Sequence, residues 1–288
     1  MERVWQLTQE PDLHQRWDLR FSRIEYLPRP NPEEPQRFLY ETRIGFGLAI
    51  RGTGESIATR TAEDGSATSS LRFASEDALS LICEGAGYWR YIPTMDGVRF
   101  LTWYDYRTRF GGVGAFANKL VFQPLMGWAT AWSFDCMRRW AEEEIPPMVS
   151  IRFALLYALC RVGLAFVWVW HGLVPKLLFH DADELRMLQQ SGLHTQWLPW
   201  VGGAEVLLGL LTLLLWRWRG MFALQIVLMV AALMSVAMKS SEYVTNAFNP
   251  VTLNLCVVLL AVLGWVSAKY VPSAARCLRT RPKGEENA

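Results

Sequence analysis

The sequence predicts two modules in series: an α+β domain in which an antiparallel sheet wraps on a long C-terminal helix, then an all-α four-helix transmembrane bundle. Three observations predict it. Charge is unevenly placed: residues 1–150 carry 17 Lys+Arg against 20 Asp+Glu, a net of −3, and residues 151–288 carry 12 against 7, a net of +5. Apolar runs of about twenty residues, enough to cross a ~30 Å hydrocarbon core, all fall in the second half. Period-two alternation falls in the first half. The change comes at Ile145-Pro146-Pro147, where two prolines stop a helix. The expected domains are therefore 1–147, cytoplasmic; 148–270, transmembrane; and 271–288, a basic, disordered cytoplasmic tail.

In chain order, RVWQLTQEPDLHQRW at 3–17 reads as a short helix broken at Pro11. Strands follow at 37–44, 48–60, 67–74, 79–92 and 99–110, with turn signals at Asp64-Gly65 and Asp96-Gly97. Phe38, Tyr40, Thr42 and Ile44 share one face; so do Phe100, Thr102, Tyr104, Tyr106, Thr108 and Phe110. Several consecutive strands predict an antiparallel meander. Residues 113–144 then read as one long helix, kinked at Pro124, with Leu125, Trp128 and Trp132 in a row. Its charged C-terminal end favours a helix packed on a sheet over a fifth span. Tyr40, Thr102, Tyr104, Tyr106, Trp128 and Trp132 are the candidate lining of a pocket for an apolar or aromatic ligand, with plain core as the bland alternative. Trp5 and Trp17 read as core.

The four spans are expected at about 153–175, 197–216, 219–238 and 250–268. Tryptophans lie mostly toward their ends, as in an aromatic belt. With the first domain inside, the inner segments carry ten Lys+Arg and the outer loops three (Lys176, Arg186 and Lys239), which puts both termini in the cytoplasm. Counting 1.5 Å per residue places Arg161 and Glu205 at similar depth near the middle of the membrane. A charge there needs a partner, so an Arg161–Glu205 pair is expected. His171, Lys239, Asn249 and Asn254 would line a polar cavity open to the outside; gluing helices together is the bland alternative.

Several functions are excluded or unsupported. A whole-chain charge of +2 gives no bias toward nucleic acid. Five cysteines (Cys83, Cys136, Cys160, Cys256 and Cys277) with wide spacing make neither a disulfide framework nor a metal site. No apolar h-region opens the chain. Gly45-Phe46-Gly47 and Gly111-Gly112-Val113-Gly114 lack the context of a phosphate loop, and no catalytic constellation is found. His180, Asp181, Asp183 and Glu184 read as a solvated loop, and the basic tail as a partner of anionic lipid headgroups.

Two resemblances rest on these residues. EPDLHQRWD after a short helix, the strand order and the terminal helix 113–144 resemble the SRPBCC (START-like, polyketide cyclase-like) superfamily, over about 1–145. The resemblance implies a helix-grip fold with a cavity between sheet and helix. Members usually begin with a strand before the first helix, which is absent near Met1. AFVWVWHGLVPKLL, GGAEVLLGLLTLLL and AFNPVTLNL, in that order, resemble the DoxX-like membrane proteins over about 150–268. That resemblance implies a four-helix bundle in a bacterial inner membrane and picks out His171, Lys176, Glu205, Asn249 and Asn254. No cofactor is identifiable; a quinone enters because some DoxX-like relatives belong to quinone-linked oxidoreductases. The leading expectation is a protein that binds or handles a lipid-like or quinone-like ligand at the bilayer. The competing expectations are the membrane subunit of a quinone-linked redox complex with a partner protein, and a structural anchor or docking protein. Oligomeric state is left open.

Overall fold

The computed structural model describes residues 1–31, 33–245, 247 and 249–279. It divides into two compact units, Met1–Met148 together with the chain from Pro272, and Val149–Val271.

In the first unit, α1 (Glu2–Gln9) and α2 (Pro11–Trp17) are separated as expected, with Pro11 at the first helical position, where its missing N–H needs no partner. Six strands form one antiparallel meander in sequence order: β1 (Arg23–Tyr26), β2 (Gln36–Gly45), β3 (Leu48–Thr61), β4 (Ala67–Ala74), β5 (Ile82–Thr94) and β6 (Gly97–Thr108). Five correspond to the expected strands. β1 was not expected: four residues just before Pro28 are too few to show an alternation.

Aromatic residues face glycine across the sheet: Tyr40 pairs with Gly52, Phe38 with Gly54, Phe73 with Gly85 and Tyr104 with Gly87. A Cβ at Gly52 would lie 2.3 Å from the Tyr40 ring and one at Gly87 2.7 Å from Tyr104 Cβ. The missing side chains thus let these rings lie close over the neighbouring strand, as aromatic rings do over sheet glycines.

One helical run follows: α3 (Gly111–Ala117), a π-helical turn Asn118–Phe122, and α4 (Gln123–Glu142). The expected kink at Pro124 is a π turn, because Pro124 has no N–H for the Leu120 carbonyl and the ladder widens before it. α4 meets the sheet through Phe134 on Phe100 (ring centroids 4.9 Å) and Thr130 Oγ1, 3.5 Å from Tyr104 Oη. Trp17, fully buried, packs on Phe134 and donates from Nε1 to the Leu7 carbonyl at 2.7 Å. Trp5 stacks on buried Tyr91.

Residues 272–277, expected as the start of a disordered tail, instead pack on α4. Ser273 N–H donates to Asp135 Oδ2 at 2.7 Å, Ala274 is buried, and Cys277 Sγ sits 3.2 Å from the Ala131 carbonyl. Arg281 and Lys283, part of the expected basic tail, lie outside the described residues.

The second unit has four helices long and apolar enough to cross a membrane: Pro147–Leu178, Thr195–Leu214, Gly220–Lys239 and Pro250–Ser267. Their α-helical parts are α5 (Pro147–His171), which continues as a π-helical turn Gly172–Leu178, then α7 (Leu198–Leu214), α8 (Gly220–Lys239) and α9 (Pro250–Ser267). A short α6 (Ala182–Gln190) stands where a solvated loop was expected. Asp181 caps it by accepting from the Asp183 and Glu184 N–H groups. Tyr157, Cys160, Leu164, Phe222, Val257 and Ala261 form the core of α5, α8 and α9; Trp168, Leu208 and Met221 join α5, α7 and α8.

Candidate functional site

The bundle holds two separate polar centres. The first surrounds Arg161, which is fully buried. Its guanidinium donates to the carbonyls of Thr212 (2.7 Å), Leu215 (3.1 Å) and Trp218 (2.8 Å), and from Nε and Nη2 to Tyr157 Oη at 3.1 and 2.8 Å. Tyr157, one turn earlier on α5, in turn donates to the Trp216 carbonyl. The Phe222 ring lies 4.6 Å from the guanidinium carbon. These carbonyls belong to the last turn of α7 and the α7–α8 connection, groups a helix end leaves unpaired. The negative end of the helix dipole also favours a cation there. A buried chain runs on from it: Trp168 Nε1 donates to Gln225 Oε1 (3.0 Å), and Gln225 Nε2 to Thr212 Oγ1 (3.1 Å).

The expected Arg161–Glu205 pair is therefore not formed. The depth count assumed a first span of about 23 residues, whereas that helix runs 32 residues and ends in a wider π turn. Arg161 takes carbonyls, and Glu205 takes a different cation.

That cation is Lys176, the second centre. Its Nζ lies 3.0 Å from Glu205 Oε2 and 3.1 Å from Glu184 Oε1, and 3.4 Å from the His171 carbonyl. Lys176 is buried. Glu205 Oε2 is at ion-pair distance but off-line, so it lacks an aligned hydrogen bond. The π turn makes this possible by bringing α5 against α7 at two glycines. A Cβ at Gly172 would fall 2.4 Å from the Gly202 carbonyl oxygen, and one at Gly202 2.9 Å from Lys176 Cβ. Among the described residues, three charged side chains on three elements converge there.

The other expected members of this cluster lie elsewhere. Lys239 ends α8 and donates to the Ser191 carbonyl at 3.1 Å. Asn249 caps its own helix, accepting from Thr252 N–H at 2.9 Å. Asn254 is half-buried on α9. His171 contributes its carbonyl, and its ring is exposed on the bundle surface. One shared polar cavity is thus replaced by a compact ion triad. Glu184 was read as part of a solvated loop; its signal was the Asp181–Glu184 cap sequence. Tyr157, four residues before Arg161, was missed, although that spacing puts two side chains on one helix face.

In the first unit, Tyr104 and Tyr106 face α4 and the turn before it: Tyr106 Oη donates to Asn118 Oδ1 at 2.7 Å, and Phe122 meets the Tyr106 ring edge-on. Tyr40 packs on Phe21, and burial pushes its phenol up to about 12. Thr102 Oγ1 donates to the Tyr88 carbonyl. Trp128 and Trp132 do not join them. Thr130 and Phe134 face the sheet, and two residues on an α-helix turn roughly 200°, so the Trp128–Trp132 row points away from it. The two best-formed hollows among the described residues are open ones of about 690 and 940 Å3 along the strands. Tyr40 lines the first and Tyr106 the second; Thr102, Tyr104, Trp128 and Trp132 line neither.

A buried ion knot closes the region between α2 and β1. His14 Nε2 is 3.0 Å from Asp18 Oδ2, and Arg20 grips the same carboxylate through Nε (2.9 Å) and Nη2 (2.6 Å). Burial pulls the His14 imidazole below its ordinary value. Burial pushes Asp18 up, but the Arg20 charge and the hydrogen bonds from Arg20 and His14 outweigh it and hold the carboxyl well below the carboxylate range.

Residues 165–262 match the DoxX-like family. Over 173 residues the chain is 46% identical to a Bacillus subtilis (strain 168) protein named uncharacterized membrane protein YndG, covering 60% of this chain. The chain spans 64% of that relative's length. A crystal structure of TTHA0849 from Thermus thermophilus is 20% identical and covers 43% of this chain and 78% of its own, at a TM-score of 0.32 that carries no argument. The matched region includes Lys176, Glu184 and Glu205 and begins after Tyr157 and Arg161. The protein is a membrane protein with four candidate spans and a DoxX-like domain at residues 165–262.

Proposed function

We propose that this protein binds an amphipathic small molecule, lipid-like or quinol-like, by its polar head at Glu205 in the bundle. The observation that carries the reading is the Glu205 carboxylate: largely buried, paired with Lys176 at 3.0 Å, yet with Oε2 lacking an aligned hydrogen bond. A buried acceptor without a donor is unfavourable by about 1–3 kcal/mol, and a hydroxyl or N–H from a ligand head would remove that penalty. Lys176 already contacts Glu184, Glu205 and the His171 carbonyl, so the site suits a donor head rather than an anion. An apolar tail would lie along the lipid-facing helices.

The same reading places the protein in a bacterial inner membrane with both termini cytoplasmic, supported by the basic residues near the 217–219 connection. The first unit's two short helices, meander and long helix support a helix-grip reading of that domain. Its rings lie over the sheet glycines, so the ligand reading rests on the bundle.

Native mass spectrometry of the full chain, released from detergent, tests it. The wild-type protein should carry a small apolar molecule, and Glu205→Gln should lose most of it. An empty wild-type protein, or equal occupancy in both, would show that the triad is only a staple between helices.

A further inference from the structure

The helical run Gly111–Glu142 changes character along its length. From Thr130 onward most of its residues are buried, whereas between Gly111 and Ala129 Gly114 alone is. Val113, Phe116, Leu120, Val121, Leu125 and Trp128 are between 44% and 79% exposed. Lys119 is the sole charged side chain from Phe110 to Thr130. A contiguous apolar stretch of this size marks an interaction surface.

We infer that residues 110–128 form an in-plane helix seated at the headgroup–acyl boundary of the bilayer that holds the four spans. Three observations favour the bilayer over the unit's own sheet or a second copy of the chain. The side of this stretch that can meet the sheet is already used, through Asn118 and Phe122 on Tyr106. Its start is fixed as well: a Cβ at Gly114 would lie 1.7 Å from the Arg109 carbonyl oxygen, and Phe110 takes a left-handed φ of 68°. Folding down as a lid would break these contacts.

Second, the membrane is close along the chain. α4 ends at Glu142 and the first candidate span begins at Pro147. The residues between them reach at most about 14–18 Å when extended, so the helix cannot drift far from the headgroups. Third, the composition is that of an interfacial helix: phenylalanine, leucine, valine and tryptophan with a lysine and no acid. An interface between two copies would carry no need for a lysine without acidic neighbours, whereas anionic headgroups complement it.

Photo-crosslinking of the full chain in vesicles of phosphatidylethanolamine and phosphatidylglycerol tests the inference. Phe116→p-benzoylphenylalanine and, separately, Leu120→p-benzoylphenylalanine are irradiated and the adducts identified by mass spectrometry. Both sites are exposed, so each replacement spares the core. Lipid adducts about ten-fold above those of the same replacement at Arg60 are expected, since acyl chains would surround both sites. Adducts to this chain's own strands or to a second copy would overturn the inference, and so would lipid labelling no higher than at Arg60.

Discussion

Arg161 and Thr212 are joined across the bundle by a guanidinium-to-carbonyl hydrogen bond of 2.7 Å. The bond ties α5 to the end of α7, and its companions to Leu215 and Trp218 close the α7–α8 connection. Arg161→Met removes all these donors and leaves three carbonyls buried. It should lower bundle stability by about 2–4 kcal/mol, counting about 1 per carbonyl, read by thermal unfolding in detergent. Arg161→Glu combined with Glu205→Arg should behave no better than either single variant. Rescue by the swap would restore the pairing that residue depth suggests.

The ion triad should respond asymmetrically. Lys176→Met strands Glu205 and Glu184 together, while Glu205→Gln leaves Lys176 paired with Glu184 at 3.1 Å. Breaking a buried pair from its cation side should be unfavourable by about 3 kcal/mol, and Glu205→Gln by about 1. Lys176→Met with Glu205→Met should recover much of the loss. Equal effects of the two single changes would mean that solvent or lipid heads screen the site.

Acid should loosen the first unit in two steps. His14 is pulled below its ordinary 6.5 on folding, so the unfolded chain takes up a proton first. Stability is therefore full above that value and falls as pH drops beneath it. Asp18 is likewise depressed, and its contribution is lost as pH falls below the ordinary 3.8. Hydrogen exchange of α1 and α2 followed from about pH 8 to pH 5 should show the first step. His14→Gln, which keeps a donor to Asp18, should remove it. A step that survives in His14→Gln assigns the titration to another group.

Asp135 holds the returning chain. Asp135→Ala removes the acceptor for Ser273 N–H and should cost about 1–3 kcal/mol locally. Amide exchange at 273–277 should rise while α8 and α9 stay protected. Unchanged exchange there would mean that Ala274 and Cys277 suffice to hold the segment.

Periodicity carried much of the fold. The alternation in β2 to β6 is legible because one face of each strand meets α4 or aromatic neighbours, and the spans are legible because lipid demands about twenty apolar residues. What stayed hidden was local or carbonyl-based. The π turns at 118–122 and 172–178 have no residue code beyond a nearby proline. The Arg161 acceptors are main-chain oxygens, which every residue carries, so the search for a side-chain partner settled on the nearest acid. Lys176 was singled out by motif and Glu205 by depth, but their pairing depends on Gly172 meeting Gly202, a contact of backbones. Trp128 and Trp132 were misplaced because one apolar row was assumed to be the sheet-facing one.

The most direct measurement is an experimental structure of the full chain in lipid nanodiscs, with attention to Glu205. The account predicts the head of an amphipathic molecule within about 3.2 Å of Glu205 Oε2, with Lys176 still paired to Glu184. Glu205 closed on Lys176 in an aligned hydrogen bond, with only acyl chain or helix beside it, would contradict it.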